Sequence, residues 1–277
     1  MKRRSICLLS IFIIFGILLI FWANKALEVN MYTISSNRLP KAFDGFTIAH
    51  ISDFHNTNIG YKVLDKLDDT NVDIIVITGD IIDSRNTHPE IALEFVEELV
   101  KIAPCYYVSG NHEGRIEVYP AFKEDMKALG VYVLEDECIE IKKENDVISL
   151  IGVDDPSFQT DNLFGDDVTV MSTKLNQLKN EQYTILLSHR PELFDVYVEY
   201  DMDVVFSGHA HGGQFRLPFI GGLVAPNQGL FPKYDAGLFV EDKTHMIVSK
   251  GIGNSIIPMR FNNRPEVILI KLQHQNR

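Results

Sequence analysis

From residue 5 to residue 24 the chain runs twenty residues without a charge, SICLLSIFIIFGILLIFWAN, rich in Ile, Leu and Phe. A helix of about 20 residues, rising about 1.5 Å per residue, spans a hydrocarbon core of roughly 30 Å. Cleaved signal peptides carry a shorter apolar region of about 7–15 residues before a small-residue site. Ala23 and Ala26 stand three apart, as such a site would need, but the run here is longer. Residues 1–24 are therefore read as one uncleaved transmembrane helix. Residues 25–43 read as a polar connector.

Past the connector, β-branched apolar runs alternate with amphipathic stretches. FTIAHIS (46–52), DIIVITG (73–79), CYYVSG (105–110), VISLIGV (147–153), YTILLSH (183–189) and DVVFSGH (203–209) are bounded by turn residues and predict strands. Runs this continuously apolar predict sheets covered on both faces. Residues 60–69, 89–102, 117–129 and 172–180 predict helices, with Pro89 placed for a first turn. The tail from Phe215 is rich in Gly and Pro and ends in two short strands, HMIVSKG and PEVILIKL. No repeat or interdomain linker interrupts 44–277, which is read as a single α/β domain.

Charge sharpens this division. The net charge of −12 is a sum over unlike parts, because the first 24 residues hold three basic side chains and no acidic one. The remainder therefore carries −15. Basic residues ahead of the apolar run predict a cytoplasmic N-terminus and an extracytoplasmic domain, a single-pass protein of the cell membrane with the lipid bilayer as partner. Arg3-Arg4 followed by Ser5-Ile6 also loosely resembles a twin-arginine export signal. An acidic domain has no broad basic face, so no stable nucleic-acid partner is expected. Three cysteines exclude a disulfide scaffold, though Cys105 and Cys138 leave one pairing open.

The candidate chemistry sits where the strands end. Five predicted strands run into Asp53-Phe54-His55, Gly79-Asp80-Ile81-Ile82-Asp83, Gly110-Asn111-His112-Glu113, Ser188-His189 and Gly208-His209-Ala210-His211-Gly212-Gly213. Ligands of open α/β sheets gather beyond the carboxyl ends of strands, so these signatures converge on one crevice. Carboxylate, amide oxygen and imidazole without thiolate are the donor types of a divalent-metal site. Each motif alone has an ordinary structural explanation, as a turn or a core histidine; five in succession do not.

The order D-x-H, G-D-x-x-D, G-N-H-E, H, G-H-x-H resembles the calcineurin-like metallophosphoesterases over roughly residues 44–272. The GHxHGGQ ending, Gly208 to Gln214, is similar to a bacterial branch of membrane-associated or exported phosphoesterases. The resemblance implies a four-layer αββα sandwich of two mixed sheets flanked by helices. It also implies two divalent metal ions, among which His, Asp and Asn ligation leaves Mn, Fe and Zn open. One metal would be held by Asp53, His55 and His211, the other by Asn111, His189 and His209, with Asp80 as the bridge. Two such cations about 3.5–4 Å apart can hold a phosphoryl group and generate a hydroxide for in-line attack. The resemblance gives His112 a substrate-directed role and Asp83 the role of holding its imidazole; a helix N-cap is the lesser, compatible alternative for Asp83. The glycines at 79, 110 and 208 would let the backbone turn sharply and bring ligands close.

Other residues stay ambiguous. His50 is either strand-packed or close behind the first motif. Asp154-Asp155-Pro156 reads as a turn that could border the cleft. Arg190, and Arg260 with Asn262 and Asn263, are either structural or phosphate-gripping. His88, His245 and His274 have no assigned role.

The functional expectation is a membrane-tethered metal-dependent phosphoesterase, with phosphodiesters as the favoured substrates. A second enzymatic possibility is a pyrophosphatase acting on a nucleotide-linked lipid such as UDP-diacylglucosamine, which the inferred topology places on the wrong side of the membrane. A protein phosphatase is disfavoured, since GDIIDSR and VSGNHE depart from the GDxVDRG and LRGNHE forms of that branch. From another class, a catalytically silent binding module would share the fold but need not keep all seven ligand types.

Overall fold

Nearly every apolar run named above becomes a strand buried along most of its length. In a computed structural model of the protein, residues 24–158, 166–254 and 259–276 are described, with Ile11, Ile14 and Gly16 besides. The chain forms β1 (Glu28–Ser36), β2 (Thr47–Ile51), β3 (Ile74–Thr78), β4 (Cys105–Val108), β5 (Tyr132–Val133), β6 (Glu137–Lys143), β7 (Asp146–Gly152) and β8 (Thr184–Leu187). It continues through β9 (Val204–Ser207), β10 (Arg216–Leu217), β11 (Gly221–Gly222), β12 (Val224–Ala225), β13 (Gly229–Leu230), β14 (Gly237–Glu241), β15 (Thr244–Val248) and β16 (Glu266–His274). Among the described residues five α-helices intervene: α1 (Gly60–Asp68), α2 (Pro89–Ile102), α3 (Tyr119–Ala128), α4 (Asp167–Leu178) and α5 (Phe194–Glu199).

Two mixed six-stranded sheets result, in the orders β1-β16-β2-β3-β4-β5 and β14-β15-β9-β8-β7-β6. Within them β2, β3, β4 and β5 pair in parallel, as do β7, β8 and β9. Side chains alternate across each strand. Val76 of β3 and Phe206 of β9 therefore meet in the core between the sheets, with Ile48, Val108, Ile185 and Ile247. Ile75 and Ile77 face outward, onto Val63, Phe95, Val96 and Phe122 of α1, α2 and α3. On the far side Leu186, Val205 and Val248 pack on Met171 and Leu175 of α4 and Tyr197 of α5. The layers run helix, sheet, sheet, helix, as the resemblance implies.

The stretch read as a connector departs from expectation. Residues 28–36 form β1, paired in parallel with β16 from Glu28 opposite Glu266 to Ser36 opposite His274. Only Ile34 of its nine residues is buried. An edge strand held by backbone bonds to one neighbour needs no apolar run, so the hydropathy pattern hides it. The last predicted helix also starts earlier, at Asp167, where Asp166 accepts from the Thr169 amide at 2.8 Å.

The apolar segment read as a transmembrane helix lies outside the described residues but for a few positions. Among the described residues no helix is long and apolar enough to cross a membrane.

Candidate metal centre

Because β2, β3 and β4 are parallel, and β8 and β9 likewise, the turns that follow them lie together at one end of the sandwich. The backbone doubles back sharply there. Asp53, His55, Asp80, His209 and His211 all adopt left-handed φ, between 47° and 64°. Such conformations cost about 1–3 kcal/mol each and persist only where the surroundings impose them. Amides of the first turn impose them here: Asp53 donates to the Gly79 carbonyl and His55 to that of Asp80, both at 3.1 Å. Gly79 sits at φ 80°, which a glycine adopts freely. Gly208 has a different reason, since a β-carbon there would run into the side chains of Ser52 and Asp53.

Six of the seven sequence-assigned ligands form two groups sharing one member. Asp53, His55, Asp80 and His211 converge in the first, and Asp80, His189 and His209 in the second. In the first, His55 Nε2 lies 3.2 Å from His211 Nε2, and the latter 3.2 Å from Asp53 Oδ1. In the second, His189 Nε2 lies 3.1 Å from His209 Nδ1 and 3.2 Å from Asp80 Oδ2. Donor atoms each about 2.0–2.2 Å from one cation stand roughly 3 Å from each other, so both groups fit metal coordination. The seventh, Asn111, is buried with its Oδ1 lacking a hydrogen-bond partner, as a carbonyl oxygen kept for a cation would be. The carboxylate of Asp80 does not divide its oxygens between the groups as a two-oxygen bridge would. Oδ1 accepts the His112 amide at 2.8 Å, while Oδ2 alone faces both His55 (3.7 Å) and His189 (3.2 Å).

Protonation suits the same purpose. Burial lowers His55 to about 3 and keeps His209 and His211 far below the usual imidazole range, so these rings are neutral with lone pairs to give. Burial acts on His189 in the same direction, but the carboxylates of Asp80, Asp53 and Asp155 outweigh it and raise its pKa to about 10. A cation entering the second group must displace that proton. The donor set of imidazole, carboxylate and amide oxygen suits Mn, Fe or Zn without choosing between them.

His112 lies on the open side of this cluster, its Nε2 4.0 Å from Asp80 Oδ2. Its other nitrogen, Nδ1, accepts the backbone amide of Ser84 at 3.0 Å and meets the Ser84 hydroxyl at 3.1 Å. Asp83, expected to hold this ring, comes only to 3.4 Å of Nδ1. Its carboxylate instead accepts from the Arg85 amide, Nε and guanidinium at 2.8–2.9 Å. Nor is Asp83 a helix cap, since α2 begins after His88. The turn GDIIDSR thus presents a backbone donor where a side-chain acceptor was expected.

Glu113, noted in the GNHE motif but given no role, proves central to the scaffold. Its buried carboxylate accepts the amides of Asp80 (2.8 Å), Gly110 (2.8 Å) and Ile82 (3.0 Å), tying the turns after β3 and β4 together. His50 is fully buried, bonded to Thr78 Oγ1 at 2.8 Å and edge-on to Phe206. It belongs to the strands, although the Thr78 carbonyl next to it receives His189 Nδ1 at 2.7 Å. Asp155 and Arg190 form a buried two-point ion pair at 2.5 and 2.8 Å. Arg260 is buried with its guanidinium on the carbonyls of Lys250 and Gly253, and Asn263 donates to the His211 and Gln214 carbonyls. Both arginines are thus committed to the protein, whereas Arg115 opens onto the site. A cleft of about 300 Å³ runs past Asp80, Asn111 and His112 to Arg115, Arg190 and Asn227. Cys105 and Cys138 are both free and lie in different sheets. His88 and His245 bond to groups two residues away and His274 to the Leu39 carbonyl, and none of the three lines the cleft.

Comparison with known proteins agrees with this geometry. The family profile described as calcineurin-like phosphoesterase matches residues 46–213. The uncharacterized metallophosphoesterase YkuE of Bacillus subtilis is 29% identical over 258 residues, covering 90% of this chain and 87% of its own. The phosphodiesterase YaeI of Escherichia coli is 27% identical over 203 residues, covering 72% and 70%. Among solved structures, TT1561 of Thermus thermophilus superposes with a TM-score of 0.52 at 13% identity, over 75% of this chain and 90% of that one.

Proposed function

Since this chain belongs to the calcineurin-like phosphoesterases, we propose that it hydrolyses phosphodiesters at the dimetal site, held at a membrane by residues 1–24. The observation that carries the reading is Asp80 Oδ2, shared by two groups of metal-ligand type with His112 Nε2 4.0 Å away. Asp53, His55, His211 and Asp80 would hold one cation; Asn111, His189, His209 and Asp80 would hold the other. When bound, such cations supply Lewis acidity to the phosphoryl oxygens and acidify water into a nucleophile. The protein's own part is to position. The Ser84 amide leaves the His112 proton on Nε2, facing the cleft, where it can donate a hydrogen bond to the charge developing on the departing oxygen. Arg115 at the cleft wall is placed to receive a non-reacting phosphate oxygen.

The preference for diesters draws support from the relative named a phosphodiesterase, and the tether from the uncharged run with basic residues before it. The GHxHGGQ ending supports the exported branch. The test uses the full chain in detergent, because β1 begins as early as Glu28. Hydrolysis of bis-p-nitrophenyl phosphate is expected with Mn²⁺, faster than that of p-nitrophenyl phosphate, and abolished by chelator. No metal-dependent release from either ester would sink the enzymatic reading and favour a binding module. Faster monoester hydrolysis would remove the diester preference alone.

A further inference from the structure

Two small hairpins follow the last ligand motif, and the tip of the second lines the cleft. In β10–β11 the tip is Pro218-Phe219-Ile220, and in β12–β13 it is Pro226-Asn227-Gln228. Phe219 is fully exposed at φ 67°, a left-handed conformation uncommon for an aromatic residue, and Ile220, Leu230 and Phe231 are each more than half exposed. Met259 and Phe261 extend the same surface. The Phe261 carbonyl accepts the Arg216 amide at 3.0 Å, and the Phe231 amide reaches the Leu223 carbonyl at 2.9 Å, joining the two hairpins and the late loop. Among the described residues, eight of the fifteen large exposed apolar side chains beyond the N-terminal run fall within 217–231 and 259–261. Such concentration marks a contact surface, where scattered single residues would not.

Two further observations say what covers it. First, the charge: no Asp or Glu occurs between Asp203 and Asp235, nor between Asp242 and Glu266, in a domain that otherwise carries a large acidic excess. These are the segments that build the patch; their basic side chains are balanced, Arg216 by Asp235, Lys250 by Glu28 and Glu266 and Arg264 by Glu28, while Arg260 is buried, so the patch does not share the domain's acidic excess. An apolar surface without net acidic charge can approach anionic headgroups that would repel the rest of the domain. Second, the chain path: the Asn24 side chain pairs reciprocally with the Arg260 backbone, at 2.8 Å to its amide and 3.0 Å to its carbonyl. The residue that closes the twenty-residue uncharged run is thereby pinned between Met259 and Phe261. Whatever bilayer receives that run has its surface beside these loops.

We infer that the hairpin tip around Phe219, with Phe231 and Phe261, seats in the headgroup region of a lipid bilayer, so that the cleft opens onto the membrane surface. The inference rests on the tether reading and extends it. The companion tip carries Asn227 into the cleft that also holds His112 and Asp80, so one small subdomain touches both lipid and site. Phosphate esters carried by membrane lipids then reach the metals with their headgroup leading.

The test places a fluorophore on the patch. In a Trp22→Phe background, which removes the only native tryptophan, Phe219→Trp and Phe231→Trp are made in the full chain. Each is reconstituted in phosphatidylcholine–phosphatidylglycerol vesicles with or without brominated acyl chains. Blue-shifted emission and quenching by bromolipid are expected for both, several times greater than for Tyr132→Trp on β5 at the far edge of the first sheet. Quenching of F219W and F231W no stronger than that of Y132W overturns the inference. Flotation separates it from the tether: a chain that fails to float with vesicles removes both, whereas one that floats without patch quenching removes only this inference. Turnover of bis-p-nitrophenyl phosphate by the same variants reports independently on the phosphoesterase reading.

Discussion

The backbone amide of Ser84 donates to Nδ1 of His112 across 3.0 Å. An amide can only donate, so Nδ1 must accept and the proton of the neutral ring rides on Nε2, the nitrogen facing Asp80 and the cleft. That arrangement aims an N–H donor at the cleft, and a main-chain group sets it. Burial, outweighing the opposing pull of Asp80 and Asp83, lowers the His112 pKa, so the ring is neutral at pH 7 and offers the cleft a single Nε2–H donor.

His112→Ala should keep both metals yet lose about 10²–10⁴-fold in turnover, most on esters with poor leaving groups. Asp83→Asn should cost little beside it, because Asp83 is engaged with Arg85. Steady-state kinetics with metal analysis on both variants checks this. An Asp83→Asn loss equal to that of His112→Ala would return the orienting role to the carboxylate.

Metal binding should release protons. The carboxylates around His189 raise it to about 10 against the effect of burial, so at neutral pH a cation must expel a proton to reach Nε2. Calorimetric titration in buffers of different ionisation enthalpy should show release near pH 7, and affinity should weaken as pH falls. Asp80→Asn, which strips the shared oxygen of charge, should leave less than one equivalent of metal per chain.

Glu113→Gln should loosen the site from behind. Its two oxygens accept three buried amides, and an amide nitrogen in place of either would face a donor. The unsatisfied group costs about 1–3 kcal/mol. Thermal denaturation should drop by several degrees with a fall in turnover. An unchanged melting temperature would deny the tie between the two turns.

Acid should find the protein through Asp155. Burial would raise its carboxyl, but the two bonds from Arg190 overcome this and hold it at about 2, below the ordinary value of 3.8. A depressed folded pKa stabilises at pH above the unfolded value and is lost as pH falls through the interval down to about 2. That interval is worth roughly 2 kcal/mol. Asp155→Asn, which leaves the Arg190 charge buried without its partner, should destabilise at pH 7 by about 3–5 kcal/mol. The variant should also lose this part of the acid dependence, which denaturant melts at neutral and acid pH would show.

The strand ends and their ligands were legible in the sequence because each is a local event. An apolar run of a few residues, a turn and a metal-type side chain lie within ten residues of one another, so Asp53, Asp80, Asn111, His189 and His209 declare themselves one at a time. Their family resemblance followed from the order alone, and both sheets with it. What no local pattern carries is pairing between distant segments. β1 escaped because an edge strand is held by backbone bonds to β16, more than two hundred residues away, and buries a single side chain. The choice between Ser84 and Asp83 for His112 depended on how the turn after β3 meets the turn after β4. The single oxygen of Asp80 serving both ligand groups is a product of the two sheets packing face to face, the grip of Glu113 of β3 and β4 lying side by side, and the pairing of Asn24 with Arg260 of two segments more than two hundred residues apart. Sequence determines which side chains are available at each strand end; the packing of the sheets decides which atoms come within 3 Å, because that distance is set by contacts between residues far apart in the chain.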